Sequence, residues 1–175
     1  AGTATATNKD PGPIDAGQLP VRSLEARFSY KDALLALPVL EASAAGGALS
    51  GSARIRGTDR VEGDLRLTAI DLRAIRSTLR RTAIAGSLSL LWTPERLRAR
   101  GLLEEKGMQV AGEAVREGDA FKATLGLTGI DPSRIGEYPA GKLNGSAIVS
   151  GRLGKARRLA ARWSIADSLL AGEAV

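Results

Sequence analysis

Apolar and polar residues alternate with a period of two along most of this chain, and this alternation constrains the fold more than any other feature. The segment VEGDLRLTA at 61–69 places Val61, Leu65 and Leu67 on one side of an extended chain, with charged residues between them. Such alternation is typical of a β-strand with one apolar and one wet face. The same pattern recurs in LSGSARIR (49–56), RLRARG (96–101), MQVAGEAV (108–115) and FKATLGL (121–127).

Turn-forming sequences separate these segments at short, even intervals, which favours antiparallel hairpins. They are RGTDR (56–60), TPE (93–95), EEKG (104–107), REGD (116–119) and LGKAR (153–157). The predicted fold class is therefore all-β: a long, curved antiparallel sheet of hairpin repeats with one apolar face and one short helix.

The chain also repeats itself at an interval of about 60 residues. DLRLTAIDLRAIR at 64–76 and TLGLTGIDPSRIG at 124–136 share the frame L-x-L-T-x-I-D-x-x-x-I, and AGEAV occurs at 111–115 and again at 171–175. Fixed-period similarity is typical of stacked units that bury their faces against one another. About four strands fit one repeat.

Both copies of the long frame place an aspartate where a strand ends. Asp is a good helix N-cap because its carboxylate accepts hydrogen bonds from the free N–H groups of the first turn. After Asp71, the spacing of the apolar residues predicts a short helix over 71–82. After Asp131, Pro132 suits the first helical position, and Gly136 is expected to end the turn. We predict a structural role for both aspartates, as caps of crossovers between hairpins.

Composition argues against catalysis. The 175-residue chain has no His and no Cys, which removes Ser–His and Cys–His nucleophiles and the usual zinc sites. It has no nucleotide-binding glycine motif, and its carboxylates are scattered. The prediction is a protein that is not an enzyme and needs no cofactor or metal.

A basic cluster follows a G-x-x-G sequence at 151–154 and comprises Lys155, Arg157, Arg158 and Arg162. A G-x-x-G loop between helices can clamp a nucleic-acid backbone. Here it lies between alternating strands without aromatic residues for base stacking, so a solvated hairpin turn is favoured and no nucleic-acid partner is expected.

The inward face is rich in Leu, Ala, Gly and Val, and aromatic residues make up only 3% of the chain. Small residues at inward positions are expected to leave volume unfilled, because a closed barrel or sandwich needs bulk to reach interior packing density. Either helices fill this volume, although only one candidate helix is visible, or a second sheet approaches closely, or a ligand occupies it. In the last case the face is an open trough for extended apolar ligands such as acyl chains. The candidate groove residues are Leu49, Ile55, Val61, Leu65, Leu67, Leu97, Met108, Val110, Phe121, Ala123, Leu125, Leu127, Leu143, Val149 and Trp163.

Over roughly residues 20–175 the chain resembles the repeat region of the TamB family, whose wider relatives are the AsmA-like proteins. TamB is the inner-membrane-anchored component of the translocation and assembly module. The resemblance is strongest in GIDPSRIGEYPAGKLNGSAIVSGRLG. The matching positions are Ile130, Asp131, Pro132, Ile135, Pro139, Leu143, Gly145, Ala147, Val149, Gly151 and Leu153.

The resemblance implies a β-taco, which is a long sheet folded lengthwise around a hydrophobic groove. It also implies a periplasmic protein that is anchored in the inner membrane and reaches the outer membrane. It implies phospholipid transport and support of outer-membrane protein assembly, with a TamA-like outer-membrane barrel as partner. It carries over no catalytic residue.

Two other function classes stay open: a module that chaperones outer-membrane β-strands by edge pairing, without lipid transport, and a passive spacer. Residues 1–20 are expected to be a flexible lead-in and 21–175 a single β-repeat segment of a longer protein. The isolated segment is expected to self-associate through its edge strands.

Overall fold

A computed structural model describes residues 1–153 and 158–174 of the chain, and these residues form an open antiparallel sheet. The only α-helix among them is α1, Leu72–Ile75. The strands are β1 Gly2–Thr7, β2 Val21–Lys31, β3 Leu34–Ala44, β4 Gly47–Arg56, β5 Arg60–Ile70, β6 Ile84–Trp92, β7 Arg96–Glu105, β8 Met108–Glu117, β9 Ala120–Ile130, β10 Gly141–Arg152, β11 Arg158–Ile165, β12 Leu169–Leu170 and β13 Glu173–Ala174.

Every strand from β1 to β10 pairs with the next strand in the chain. Strand β11 continues this order beside β10, and the short β12 also pairs with β10, near the start of that strand. The all-β fold class with one short helix is confirmed. Residues 1–20 are not all a lead-in as expected, because residues 2–7 form strand β1, which pairs with β2.

Longer connections interrupt the hairpins at regular intervals and define the two rims of the sheet. Crossovers at 8–20, 71–83 and 131–140 follow β1, β5 and β9, so four strands separate one crossover from the next. All three lie at one rim, here called the capped rim, with the hairpin turns at 45–46 and 106–107. The opposite, open rim carries the turns at 32–33, 57–59, 93–95 and 118–119.

Neighbouring crossovers contact one another along the capped rim. The Asp15 carboxylate accepts hydrogen bonds from the Ser77 hydroxyl at 2.6 Å and from the Ser77 N–H at 3.1 Å. The N–H of Arg80 donates to the carbonyl of Ile135 at 2.9 Å. The crossovers therefore form a second layer that ties successive repeats together.

The repeated aspartates cap the turns as predicted, and they also fasten the start of the next strand. Asp71 Oδ1 accepts from the N–H of Arg73 at 3.0 Å and from that of Thr82 at 3.1 Å. Asp131 Oδ1 accepts from the N–H of Ser133 and from that of Gly141, both at 3.1 Å. One carboxylate thus closes each loop at both ends.

The predicted helix over 71–82 is wrong in length, because α1 has only four residues. Arg76 is extended, with φ −141° and ψ 122°, and Thr82 folds back to accept from the N–H of Leu72 at 2.8 Å. After Asp131 a single 3-10 turn spans Pro132–Arg134. The chain leaves this turn at Gly136 as expected, because the N–H groups of Ile135 and Gly136 both donate to the Pro132 carbonyl, at 3.0 and 3.2 Å.

The repeated frame also contains a β-bulge just before each aspartate. Between Leu67 and Ile70, β5 carries one more residue than β6 does opposite it, and β9 carries one more than β10 between Leu127 and Ile130. The extra residues have positive φ, 56° at Ala69 and 60° at Gly129. Glycine adopts this conformation at little cost, whereas alanine is strained in it.

The small core lies beneath the crossovers. Among the described residues, the buried apolar side chains are Ala44, Ala45, Ile70 and Met108, all at the capped rim. The accessible surface is 11793 Å². A compact protein of 18.2 kDa would expose about 8,100 Å². Most of the sheet is thus a single layer that is open to solvent on both faces.

Candidate functional site

The pairing register brings all fifteen predicted groove residues onto one side of the sheet, here called the apolar face. Leu67 lies opposite Leu49 on β4, and Leu127 lies opposite Val110 on β8. Trp163 on β11 lies opposite Ala147 on β10, which in turn lies opposite Leu125 on β9, so Trp163 is on the same side. Residues directly opposite in an antiparallel pair point to the same face, so the alternation seen in single strands combines into one continuous surface.

Sequence reasoning missed the contributions of several strands to this face, among them β2 and β6. Leu88 and Leu90 on β6 pair with Leu65 and Gly63 on β5. Leu24 and Phe28 on β2 occupy equivalent positions further along the sheet. Both strands carry an alternating signal, GSLSL at 86–90 and LEARF at 24–28, that could have identified them.

Leucines lie over the glycines of this face, so the expected unfilled volume is not left at the glycines themselves. A Cβ added to Gly101 would sit 2.6 Å from Leu88 Cδ2, and one added to Gly112 would sit 2.6 Å from Leu125 Cδ2. The glycines thus let leucines from the next strand lie flat on the sheet. This arrangement smooths the apolar face into a surface made of aliphatic side chains and backbone.

Above this surface is an open cavity of about 560 Å³ that extends from β3 to β9. Of the fifteen predicted residues, those that line it are Val61, Leu65, Val110, Ala123 and Leu125. The large side chains of the face remain accessible: Leu90 is 40% exposed and Trp163 is 75% exposed. Met108 is the exception, because it is buried under the Asp131 turn. We call this cavity, together with the part of the apolar face that lines it, the trough.

The opposite, polar face carries a larger groove of about 1160 Å³ that sequence analysis did not anticipate. Serines and charged residues line it, and ion pairs cross between β7 and β8. Glu113 lies 3.0 Å from Arg98 Nε and 3.4 Å from Arg100 Nε, and Arg96 lies 3.4 Å from Glu117. These groups are well solvated, so size alone does not make this groove the better candidate.

Two charged residues interrupt the apolar face on strands β4 to β11. Glu105 lies at the capped rim, where it is buried and accepts from the N–H of Ala83 at 3.3 Å. Arg116 lies at the open rim, opposite Leu97 on β7 and Phe121 on β9. Its Nε is buried and has no hydrogen-bond partner within the described residues.

In comparisons with known proteins, the chain matches no protein-family model, no curated protein and no solved structure. Over residues 1–153 and 158–174, no helix is long and apolar enough to cross a membrane. The same residues contain no cluster of three or more potential metal-ligating acidic side chains.

Of the basic cluster, Arg158 and Arg162 lie exposed on β11. Lys155 and Arg157 fall outside the described residues. The expectation that this cluster binds no nucleic acid stays a prediction.

Proposed function

We propose that this chain is a segment of a TamB-like periplasmic bridge protein whose trough carries phospholipid between the inner and outer membranes. The parent protein is anchored in the inner membrane and supports outer-membrane protein assembly through a TamA-like barrel. The observation that carries the proposal is the accessibility of the apolar face. Leu88 and Leu90 on β6 are each 40% exposed, and Leu125 on β9 is 39% exposed, on the same face of the sheet.

Leaving such a surface in water is unfavourable, and soluble monomers rarely expose contiguous apolar patches of this kind. An acyl chain would cover it, and burial of each methylene contributes roughly 0.8 kcal/mol. The dimensions also agree. From β3 to β9 the trough crosses six inter-strand spacings of ~4.8 Å, or about 29 Å. The acyl chains of one leaflet span about half of the ~30 Å hydrocarbon core of a bilayer, so the trough is long enough to hold them.

A matched pair of variants tests the proposal. Leu90 and Ile148 are both 40% exposed and both lie on interior strands, but Leu90 is in the trough and Ile148 is on the polar face. Leu90→Lys places a charge where the acyl chain would lie, at a high desolvation cost. Ile148→Lys makes the same chemical change on the solvated side.

The measurement is a titration of each purified protein with fluorescently labelled phosphatidylethanolamine, together with native mass spectrometry of co-purified phospholipid. We expect Leu90→Lys to weaken binding at least about tenfold, which corresponds to ~1.4 kcal/mol. Ile148→Lys should bind like the wild type. Equal effects of the two variants, or no lipid binding by the wild type, would refute the trough as the lipid site.

Edge pairing with β-strands is a second candidate, because β1 is an edge strand of the described sheet. Within the described residues β1 pairs only with β2, and residues 3–7 are all exposed. Such an edge offers free N–H and C=O groups to another strand. Neither Leu90→Lys nor Ile148→Lys alters this edge, so strand capture that persists in both variants would favour the second candidate.

A further inference from the structure

Arg116 is the one basic residue on the apolar face of the described strands β4 to β11. Along β8 the positions facing this side are Met108, Val110, Gly112, Ala114 and then Arg116, at the open rim. The neighbouring glutamate, Glu117, points to the other face and pairs with Arg96. No ion pair joins Arg116 to a carboxylate within the described residues.

The guanidinium is also partly withdrawn from water. Leu97 and Phe121 flank Arg116, and its Nε is buried without a hydrogen-bond partner in the described part of the chain. Arg98 Nε on the polar face is buried in the same way, but it lies 3.0 Å from the Glu113 carboxylate, whereas Arg116 has no such counter-charge. Leaving a buried donor of a charged group unsatisfied is costly, so native proteins rarely retain one without a partner. An anion at this position would supply both the charge and the missing acceptor.

We infer that Arg116 binds the phosphate of an anionic phospholipid whose acyl chains lie in the trough, and that it gives the trough a preference for anionic over zwitterionic headgroups. The inference rests on the proposed function and names the lipid class. A guanidinium suits the site because its planar donors match phosphate oxygens in pairs. Ala114 and Gly112 continue along the same strand as a smooth apolar path for the chains.

The preference for a net negative headgroup follows from what surrounds Arg116. A zwitterionic headgroup brings an ammonium group that offsets the charge of its own phosphate and is repelled by the guanidinium, whereas an anionic headgroup keeps its net negative charge. Glu105, the other charged residue of β7–β9 on this face, lies at the far end of the strands, at the capped rim, and is buried, so it offers the ammonium no nearby partner. A headgroup without a cation, such as that of phosphatidylglycerol, therefore fits the open rim better.

The test is a competition between phosphatidylglycerol and phosphatidylethanolamine with identical acyl chains, offered to the full chain in equimolar mixed vesicles. Native mass spectrometry then gives the ratio of the two bound lipids and the total occupancy. Arg116→Gln removes the charge, and Arg116→Lys keeps the charge but loses the paired donors. Arg152→Gln is the matched control, because Arg152 also lies at the open rim but on the polar face, opposite Ala120.

We expect the wild type to favour phosphatidylglycerol about tenfold, the ratio that ~1.4 kcal/mol produces. Arg116→Gln should bring the ratio close to one while total occupancy stays within about twofold of the wild type, since the acyl chains supply most of the binding. Arg116→Lys should give an intermediate ratio, and Arg152→Gln should match the wild type.

Retention of the preference in Arg116→Gln, or an equal loss in Arg152→Gln, would overturn the inference. A wild type that binds both lipids equally well would also overturn it while leaving the proposed function intact. A wild type that binds no lipid at all would refute the proposed function, and this inference with it.

Discussion

Replacing Gly51 by alanine should destabilise the sheet, whereas the same change at Gly63 should not. The two glycines lie on paired strands, β4 and β5, and both face the trough side. A Cβ on Gly51 would lie 2.1 Å from the carbonyl oxygen of Asp64 and 2.9 Å from Leu65 Cδ2. A Cβ on Gly63 would come no closer than 3.4 Å to any neighbour, the carbonyl oxygen of Ser52.

The two clashes at Gly51 differ in how easily they are relieved. The Leu65 side chain can turn aside, but the Asp64 carbonyl belongs to the strand paired with Gly51 and moves only if the pairing is distorted. Overpacking of this kind typically costs about 1–3 kcal/mol. Alanine recovers roughly 0.5–1 kcal/mol by restricting the unfolded chain. The net destabilisation of Gly51→Ala should be about 1–2 kcal/mol, and Gly63→Ala should gain roughly 0.5–1 kcal/mol.

Thermal and urea unfolding, followed by far-ultraviolet circular dichroism, would measure the difference. A change of 1 kcal/mol shifts the midpoint by about 2–4 °C in a chain of this size. The two variants should therefore separate by roughly 3–12 °C, with Gly51→Ala below the wild type. Equal midpoints, or a lower midpoint for Gly63→Ala, would refute the packing of leucines and strand carbonyls against the glycines of the apolar face.

Two further predictions concern the capped rim. Asp71→Ala removes the acceptor shared by the N–H groups of Arg73 and Thr82. In urea titrations it should lower the free energy of unfolding by about 1 kcal/mol, whereas Asp71→Asn should keep much of the wild-type stability. The pKa of the Asp15 carboxyl is lowered by hydrogen bonds, first from the Ser77 side chain and then from its backbone N–H. The ionised carboxylate therefore stabilises the fold above its unfolded-state pKa of about 3.9, and this stabilisation disappears as the pH falls through the lower folded value. The stability advantage of wild type over Asp15→Asn should accordingly be full at pH 6 and vanish in acid, and an advantage that stays constant with pH would contradict this account.

Much of the apolar face could be predicted because alternation is a local property. Leu65, Leu67, Leu125 and Leu127 were placed on one side from their own strands, and pairing merely aligned those strands. The aspartate caps were also predictable, because a capping side chain bonds to N–H groups only two residues away.

Features that depend on distant contacts could not be predicted in this way. The crossover after Asp71 is held by Thr82, whose hydroxyl accepts from the N–H of Leu72 ten residues earlier, and α1 ends where Arg76 becomes extended. Strand β1 reads as loose sequence and is ordered by its pairing with β2. The run LLALPVL at 34–40 in β3 is entirely apolar and therefore shows no alternation. Only its pairing register with β4 shows which of its residues face the trough.

The unpartnered Nε of Arg116 is another feature that depends on distant contacts. The alternation of MQVAGEAVRE continues through residue 116, but nothing in the sequence distinguishes this arginine from the solvated ones on the other face. Its isolation emerges only when β7 and β9 place Leu97 and Phe121 beside it.

The number of strands between crossovers has a consequence for how such a chain can grow. Because four is even, the chain returns to the same rim before each crossover, and the Asp71 and Asp131 loops meet through Arg80 and Ile135. Duplication of a whole repeat would lengthen the sheet by roughly 19 Å and leave this parity intact. Insertion of a single strand would send the next crossover to the opposite rim, where no loop could receive it. The sheet can thus grow by whole hairpins but not by single strands. This restriction comes from the even number of strands between crossovers and not from any particular side chain.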